Sequence, residues 1–175
     1  MDTQNTAVSL LFGWALTLLG MGYSQKGLPQ EGVNAAEEAV GLFRSMDINN
    51  PATHLPIGLA LSVLGQNYSQ TGQVQDGLAA AKEAVALFQA MDTENPAVRW
   101  PLAWAQTILG VGYSQTGQLK EGLEAAKEAV SIYRTIDTSI PAIRLSVASA
   151  LTVLGLVYSQ MGQPLEGLKP ALEAV

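Results

Sequence analysis

The strings LLGMGYSQ (residues 18–25), VLGQNYSQ (63–70), ILGVGYSQ (108–115) and VLGLVYSQ (153–160) are one octapeptide written four times. Their glycines Gly20, Gly65, Gly110 and Gly155 stand 45 residues apart, and so do Tyr23, Tyr68, Tyr113 and Tyr158. The same step links Gly32, Gly77, Gly122 and Gly167, and then Ala39, Ala84, Ala129 and Ala174. Self-similarity at a fixed period of this size marks a repeat architecture. DTQNTA, DINNPA, DTENPA and DTSIPA align at Asp2, Asp47, Asp92 and Asp137, so the repeats occupy 2–46, 47–91, 92–136 and 137–175 of one domain. Val175 matches Val40, Val85 and Val130. The fourth copy therefore stops in mid-helix, as expected of a piece of a longer array or a truncated reading frame.

Each repeat reads as a helical hairpin. In the third, Pro96 opens a turn and Pro101 follows five residues later. Proline is tolerated in a first helical turn but not deep inside a helix. The first helix is thus expected from about Pro101 to Gln115, with 96–100 a turn or a separate short helical turn. Gly117 supplies the left-handed residue that ends it, as Gly27, Gly72 and Gly162 do elsewhere. The second helix is expected from Leu119 to Ile136. Leu119, Leu123, Ala126, Val130 and Tyr133 recur at three- and four-residue steps on one face. Lys120, Glu124, Lys127 and Glu128 mark the solvated face, with Lys120 and Glu124 spaced for an i,i+4 pair. Glycines inside helices, such as Gly110 and Gly122, each cost about 1 kcal/mol against alanine. Their repetition points to close approach of paired helices rather than to a phosphate loop.

Composition agrees. Of 175 residues 48% are hydrophobic and only 14% charged, so many faces must be buried between neighbours. The net charge of −6 and the lack of a Lys/Arg cluster argue against a nucleic-acid partner. With no cysteine there is no disulfide, thiolate nucleophile or Cys-based metal site, and a cytoplasmic location is the default. Residues 6–25 carry no charge and are long enough to span a membrane. They recur in every repeat, each time followed by a charged amphipathic helix, so the reading is a soluble array with no membrane partner.

Leu109-Gly110, Tyr113, Gly117, Gly122 and Ala129, repeated in all four copies, resemble the tetratricopeptide repeat. The usual unit is about 34 residues. The longer one here is similar to the long-repeat branch of kinesin light chain arrays and bacterial and fungal tandem arrays. Glycine replaces the usual alanine that opens the second helix. The resemblance implies an all-α, right-handed superhelical solenoid of antiparallel hairpins, with a concave groove lined by the first helix of each. Carried over, the groove holds Trp14, Thr17, Met21, Ser24 and Gln25 in repeat one, and Leu59, Ser62, Gln66, Ser69 and Gln70 in repeat two. Repeat three contributes Trp104, Thr107, Val111, Ser114 and Gln115. Repeat four contributes Ser149, Thr152, Leu156, Ser159 and Gln160.

Relatives that grip a chaperone's C-terminal carboxylate use Lys, Asn and Arg at such places. Here Thr17, Ser62 and Thr107, with Met21, Gln66 and Val111, leave the groove uncharged. It suits an amphipathic helix or an extended apolar peptide held by aromatic anchors. Trp14 and Trp104 fit inter-repeat core equally well, and the Ser-Gln pairs read as hydrogen bonders at helix ends.

Catalysis requires a nucleophile with a base, a metal or a phosphate cradle. His54 is the only histidine and reads as a solvated loop residue. No serine sits in a GxSxG elbow. Glu31, Asp76, Glu121 and Glu166 each open a second helix, where they complement its dipole. No metal spacing or cofactor motif occurs, so the expectation is no enzyme and no cofactor. The leading reading is a non-catalytic protein-interaction scaffold. The alternative is a structural spacer that stacks on itself or on neighbouring repeats. Val8, Leu11, Phe12 and Leu16 at one end, and Leu168, Leu172 and Val175 at the other, would give apolar solenoid ends able to self-associate.

Overall fold

The computed structural model describes residues 3–46, 51–136 and 140–173. Eight helices run through them: α1 (Thr3–Gln25), α2 (Pro29–Arg44), α3 (His54–Gln70), α4 (Val74–Gln89), α5 (Pro96–Gln115), α6 (Leu119–Tyr133), α7 (Pro141–Gln160) and α8 (Pro164–Glu173). A single 3-10 turn, Pro51–Thr53, leads into α3. The chain divides into two compact units, Met1–Met91 and Asp92–Val175. The division falls where the third sequence repeat begins. In the first unit α1 packs on α2 and α3 on α4, and α3 also rests on α1 and α2. The second unit repeats this with α5 on α6, α7 on α8, and α7 against α5 and α6.

The hairpins close as the glycines require. Gly27, Gly72, Gly117 and Gly162 have φ of 73°, 82°, 76° and 74°, the left-handed region that disfavours a Cβ. Each lets the chain fold back so that the amide after it reaches a tyrosine carbonyl, as Gln118 N–H does to Tyr113 at 2.9 Å. Glu31, Asp76, Glu121 and Glu166 lie in the first turns of α2, α4, α6 and α8, beside the positive ends of the helix dipoles.

The interior glycines mark where paired backbones touch. A Cβ on Gly77 would lie 2.9 Å from the Gly65 carbonyl oxygen, and one on Gly167 would lie 2.8 Å from that of Gly155. Around these crossings Phe43, Phe88 and Tyr133 are fully buried. The Phe43 and Phe88 rings press against Gly13 and Gly58, where a Cβ would meet the ring at 2.6 Å. In the third repeat Ala103 stands where those glycines do, and Tyr133 replaces the phenylalanine.

Three local expectations are corrected. α5 begins at Pro96 and runs through Pro101. Asn95 caps it by accepting from Ala97 N–H at 3.0 Å. The carbonyl left without a partner by Pro101 belongs to exposed Ala97, which water can reach. His54 opens α3 instead of lying in a loop. Glu124 pairs with Lys127 at 3.8 Å, one turn on, rather than with Lys120.

Burial pushes the Tyr133 phenol up to about 12, against a smaller opposing influence of the Ser146 and Thr107 hydroxyls. The hydroxyl closes no hydrogen bond of its own. Tyr68 is also raised to about 12, by burial and then by donating to the Glu37 carboxylate. A phenol whose pKa is higher folded than unfolded stabilises the fold fully below the unfolded value. That stability is lost as pH rises towards the folded value. Thermal stability should therefore fall between about pH 10 and 12. Tyr133→Phe should remove roughly 3 kcal/mol of that alkaline loss. At neutral pH it should stabilise by up to about 1 kcal/mol, because an unpaired buried hydroxyl is gone. Thermal melts of parent and variant across this pH range check both signs.

Candidate functional site

Charge is segregated between the two helices of each hairpin. Among the described first helices, α1 and α3 carry no Asp, Glu, Lys or Arg, and α5 and α7 carry one each, Arg99 and Arg144. The second helices carry the rest of the helical charge, from Glu31 on α2 to Lys169 on α8. A neutral surface on the first helices follows directly from this partition.

The expected groove positions fall into columns with different fates. Trp14, Leu59 and Trp104 are half-buried, and Ser149 of the same column is exposed. Met21, Gln66 and Val111 are half-buried and Leu156 is exposed, while Gln25, Gln70, Gln115 and Gln160 all reach solvent. The column Thr17, Ser62 and Thr107 is a correction. These side chains are only 3%, 0% and 7% exposed, and each hydroxyl donates to the carbonyl four residues back. A short hydroxyl satisfied by its own helix can be buried, so these three cannot meet a partner. Thr152 makes the same bond yet stays exposed.

The tryptophans belong to their own surroundings as well as to the surface. Trp14 meets Phe43 edge-on, with centroids 6.0 Å apart. Trp104 stacks on Trp100 at 5.5 Å with planes 21° apart, and both rings remain half-exposed. Trp100 was not among the expected positions. Its column, Leu10, Leu55, Trp100 and Leu145, lies four residues before that of Trp104, so helical spacing and the repeat together could have found it. Leu145 is 71% exposed.

The Ser-Gln pairs act between repeats. Ser24 donates to the Gln70 side-chain oxygen at 3.1 Å and accepts from Gln66 Nε2 at 3.1 Å. Ser114 donates to the Gln160 oxygen at 2.5 Å. Gln70 and Gln160 thus rivet neighbouring hairpins and are not idle groove residues.

On the charged side, a cleft of about 360 Å³ lies against α6, α7 and α8, lined by Lys127, Val130, Leu151 and Pro170 among others. Lys127 is already engaged by Glu124 and lies over the Tyr158 ring. Among the described residues no three His, Cys, Asp or Glu side chains gather as a metal site. Two helical windows, Ala7–Gln25 and Ile143–Gln160, are long and apolar enough to cross a membrane by length and composition.

No protein-family model matches the chain, and no curated protein does. Solved structures do. The nearly identical TPR-like repeats of a kinesin light chain-type protein from Podosopora anserina superpose with a TM-score of 0.70 at 22% identity, covering 91% of this chain and 72% of that one. BtubC (BKLC) from P. vanneervenii gives 0.72 at 17% identity, covering 93% and 61%. Apo RapI gives 0.68 at 12% identity, covering 93% and 41%. The fold is the tetratricopeptide type. Within this tetratricopeptide frame the glycine that replaces the usual small residue of the second helix is explained by contact. At Gly167 an added Cβ would lie 2.8 Å from the Gly155 carbonyl oxygen and 3.1 Å from the Tyr158 Cβ.

Proposed function

We propose that this tetratricopeptide-type chain is a non-catalytic protein-interaction scaffold whose first helices present an uncharged stripe to a partner segment. The observation that carries the reading is the partition of charge, which leaves α1 and α3 without an Asp, Glu, Lys or Arg. On such a stripe a charged partner would lose hydration without gaining a counter-charge. An amphipathic helix or extended apolar peptide would lose little and bury apolar area. Large, partly exposed rings are the side chains that most often anchor such contacts, and Trp100 with Trp104 supplies a stacked pair. The fold shared with other tetratricopeptide-type proteins supports a scaffold in general terms. The location expected for such a scaffold is the cytoplasm.

The test charges one column. Leu59→Glu, Trp104→Glu and Ser149→Glu together place an acid on one position of three first helices. Circular dichroism must first show that the variant keeps its helix content and melts cooperatively. Capture of a partner from lysate by the parent and its loss, by tenfold or more, in the folded variant is the expected result. A folded variant that captures the same partner undiminished would remove the stripe from consideration.

A further inference from the structure

The third repeat and the helix packed on it depart from the repeat pattern at four positions that meet in one place. Trp100 stands where the other copies have Leu10, Leu55 and Leu145, and Tyr133 where the first two have Phe43 and Phe88. Ala103 replaces their Gly13 and Gly58. On α7, which packs against α5 and α6, Ser146 takes the register of Leu11, Pro56 and Pro101. Stacking of hairpins does not require these changes, because α3 seats on α1 and α2 without any of them. Where the first helices meet solvent here owes nothing to the ends of the sequence, since one repeat precedes the third and another follows it. At the ends themselves, two of the expected apolar positions differ: Leu16 is 8% exposed and belongs to the core, and Val175 lies outside the described residues.

Trp100 and Trp104 lie one turn apart on α5, so their indoles stack only when both lean the same way along the helix. Trp100 is half-exposed, and a ring so placed has other staggered rotamers within reach. Its indole N–H donates to Ser146 Oγ on α7 at 3.5 Å. So long a bond adds little to stability, but little is needed to select among rotamers. Leucine at position 100 would have no donor, and proline at position 146 no side-chain acceptor. Beneath the indole, Trp100 rests on the core cluster that contains Tyr133 and Ala103. The Ala103 methyl keeps the Tyr133 ring from lying against α5 as Phe43 and Phe88 lie against Gly13 and Gly58. The Tyr133 hydroxyl is fully buried, and the Ser146 and Thr107 hydroxyls are the polar groups that act on it. Thr107 is committed to the Ala103 carbonyl at 2.9 Å. Ser146 is thus the hydroxyl that faces the indole in an otherwise apolar junction.

We propose, resting on the reading of these rings as partner anchors, that Ser146 is a positioning residue. Its hydroxyl, supplied by the fourth repeat, holds the Trp100 indole in the rotamer that stacks on Trp104. An anchor set before the partner arrives does not have to be ordered during binding, which is where much affinity is otherwise lost. The fourth repeat thereby takes part in recognition by the third without this serine touching the partner.

Stacked indoles give an exciton couplet in far-UV circular dichroism, which is read on the intact chain with no partner present. Trp104→Phe should abolish the couplet, assigning it to this pair and not to Trp14. Ser146→Ala should reduce it roughly twofold or more, as the indole spreads over other rotamers, while the thermal midpoint stays at the parent's value. Ser146→Thr keeps an acceptor hydroxyl and should retain the couplet. A couplet of parent intensity in Ser146→Ala would overturn the proposal, and so would a couplet that survives Trp104→Phe. Equal loss in Ser146→Ala and Ser146→Thr would overturn it too, because the shape of the side chain and not its hydroxyl would then be acting. The couplet needs no partner, so it decides the positioning whatever the capture experiment says of the stripe.

Discussion

Phe88→Ala should cost about 3–5 kcal/mol, a large share of what a domain of this kind has to spare. Phe88 is fully buried, and its ring edge occupies the space that a side chain at position 58 would fill. Removing the ring leaves a cavity between α3 and α4 that cannot collapse. The two backbones already touch at Gly65 and Gly77, so the helices have no freedom to close inward. Truncating an exposed leucine, Leu168→Ala, should change stability by less than about 0.5 kcal/mol. Urea melts of the two variants against the parent compare the effects. Equal midpoints would mean that the ring is not the core of its hairpin.

Gly77→Ala should destabilise by about 1–3 kcal/mol, although alanine is the better helix former by about 1 kcal/mol. The new methyl would sit 2.9 Å from the Gly65 carbonyl oxygen and 3.1 Å from Ser69 Oγ. The nearer of these is backbone, so relief requires α3 and α4 to separate along their length. Gly41→Ala gives the opposite sign. Gly41 is exposed, lies within α2 and would have nothing within 4 Å of its Cβ, so the change should stabilise by up to about 1 kcal/mol. Stabilisation by both substitutions would refute the close helix crossing.

Much of this was legible in the sequence, because repetition makes local signals reinforce each other. Four glycines in one column, each followed by an amphipathic helix, specify a turn whatever surrounds them, and all four have positive φ. The interior glycines announced close packing for the same reason. The surface was harder to read. Thr17, Ser62 and Thr107 share the polarity of groove residues. A hydroxyl that bonds its own helix pays little to be buried, and sequence does not reveal which neighbour covers it. Trp14 shows the same limit, since only the position of Phe43 places its ring edge-on within its own hairpin. The continuous α5 was hidden because Pro101 breaks a rule whose cost is smaller where the orphaned carbonyl belongs to an exposed residue, here Ala97.

The claim that the neutral stripe is the recognition surface has a direct test in the tryptophan emission of the intact chain. The captured partner's binding segment would be titrated in at low and at high salt. Contact with the Trp100 and Trp104 pair should shift emission saturably, with an affinity that changes only weakly with salt, because α1 and α3 offer a partner no Asp, Glu, Lys or Arg and α5 and α7 offer one arginine each. Binding that leaves emission untouched and weakens steeply with salt would move recognition to the charged second helices and contradict the account.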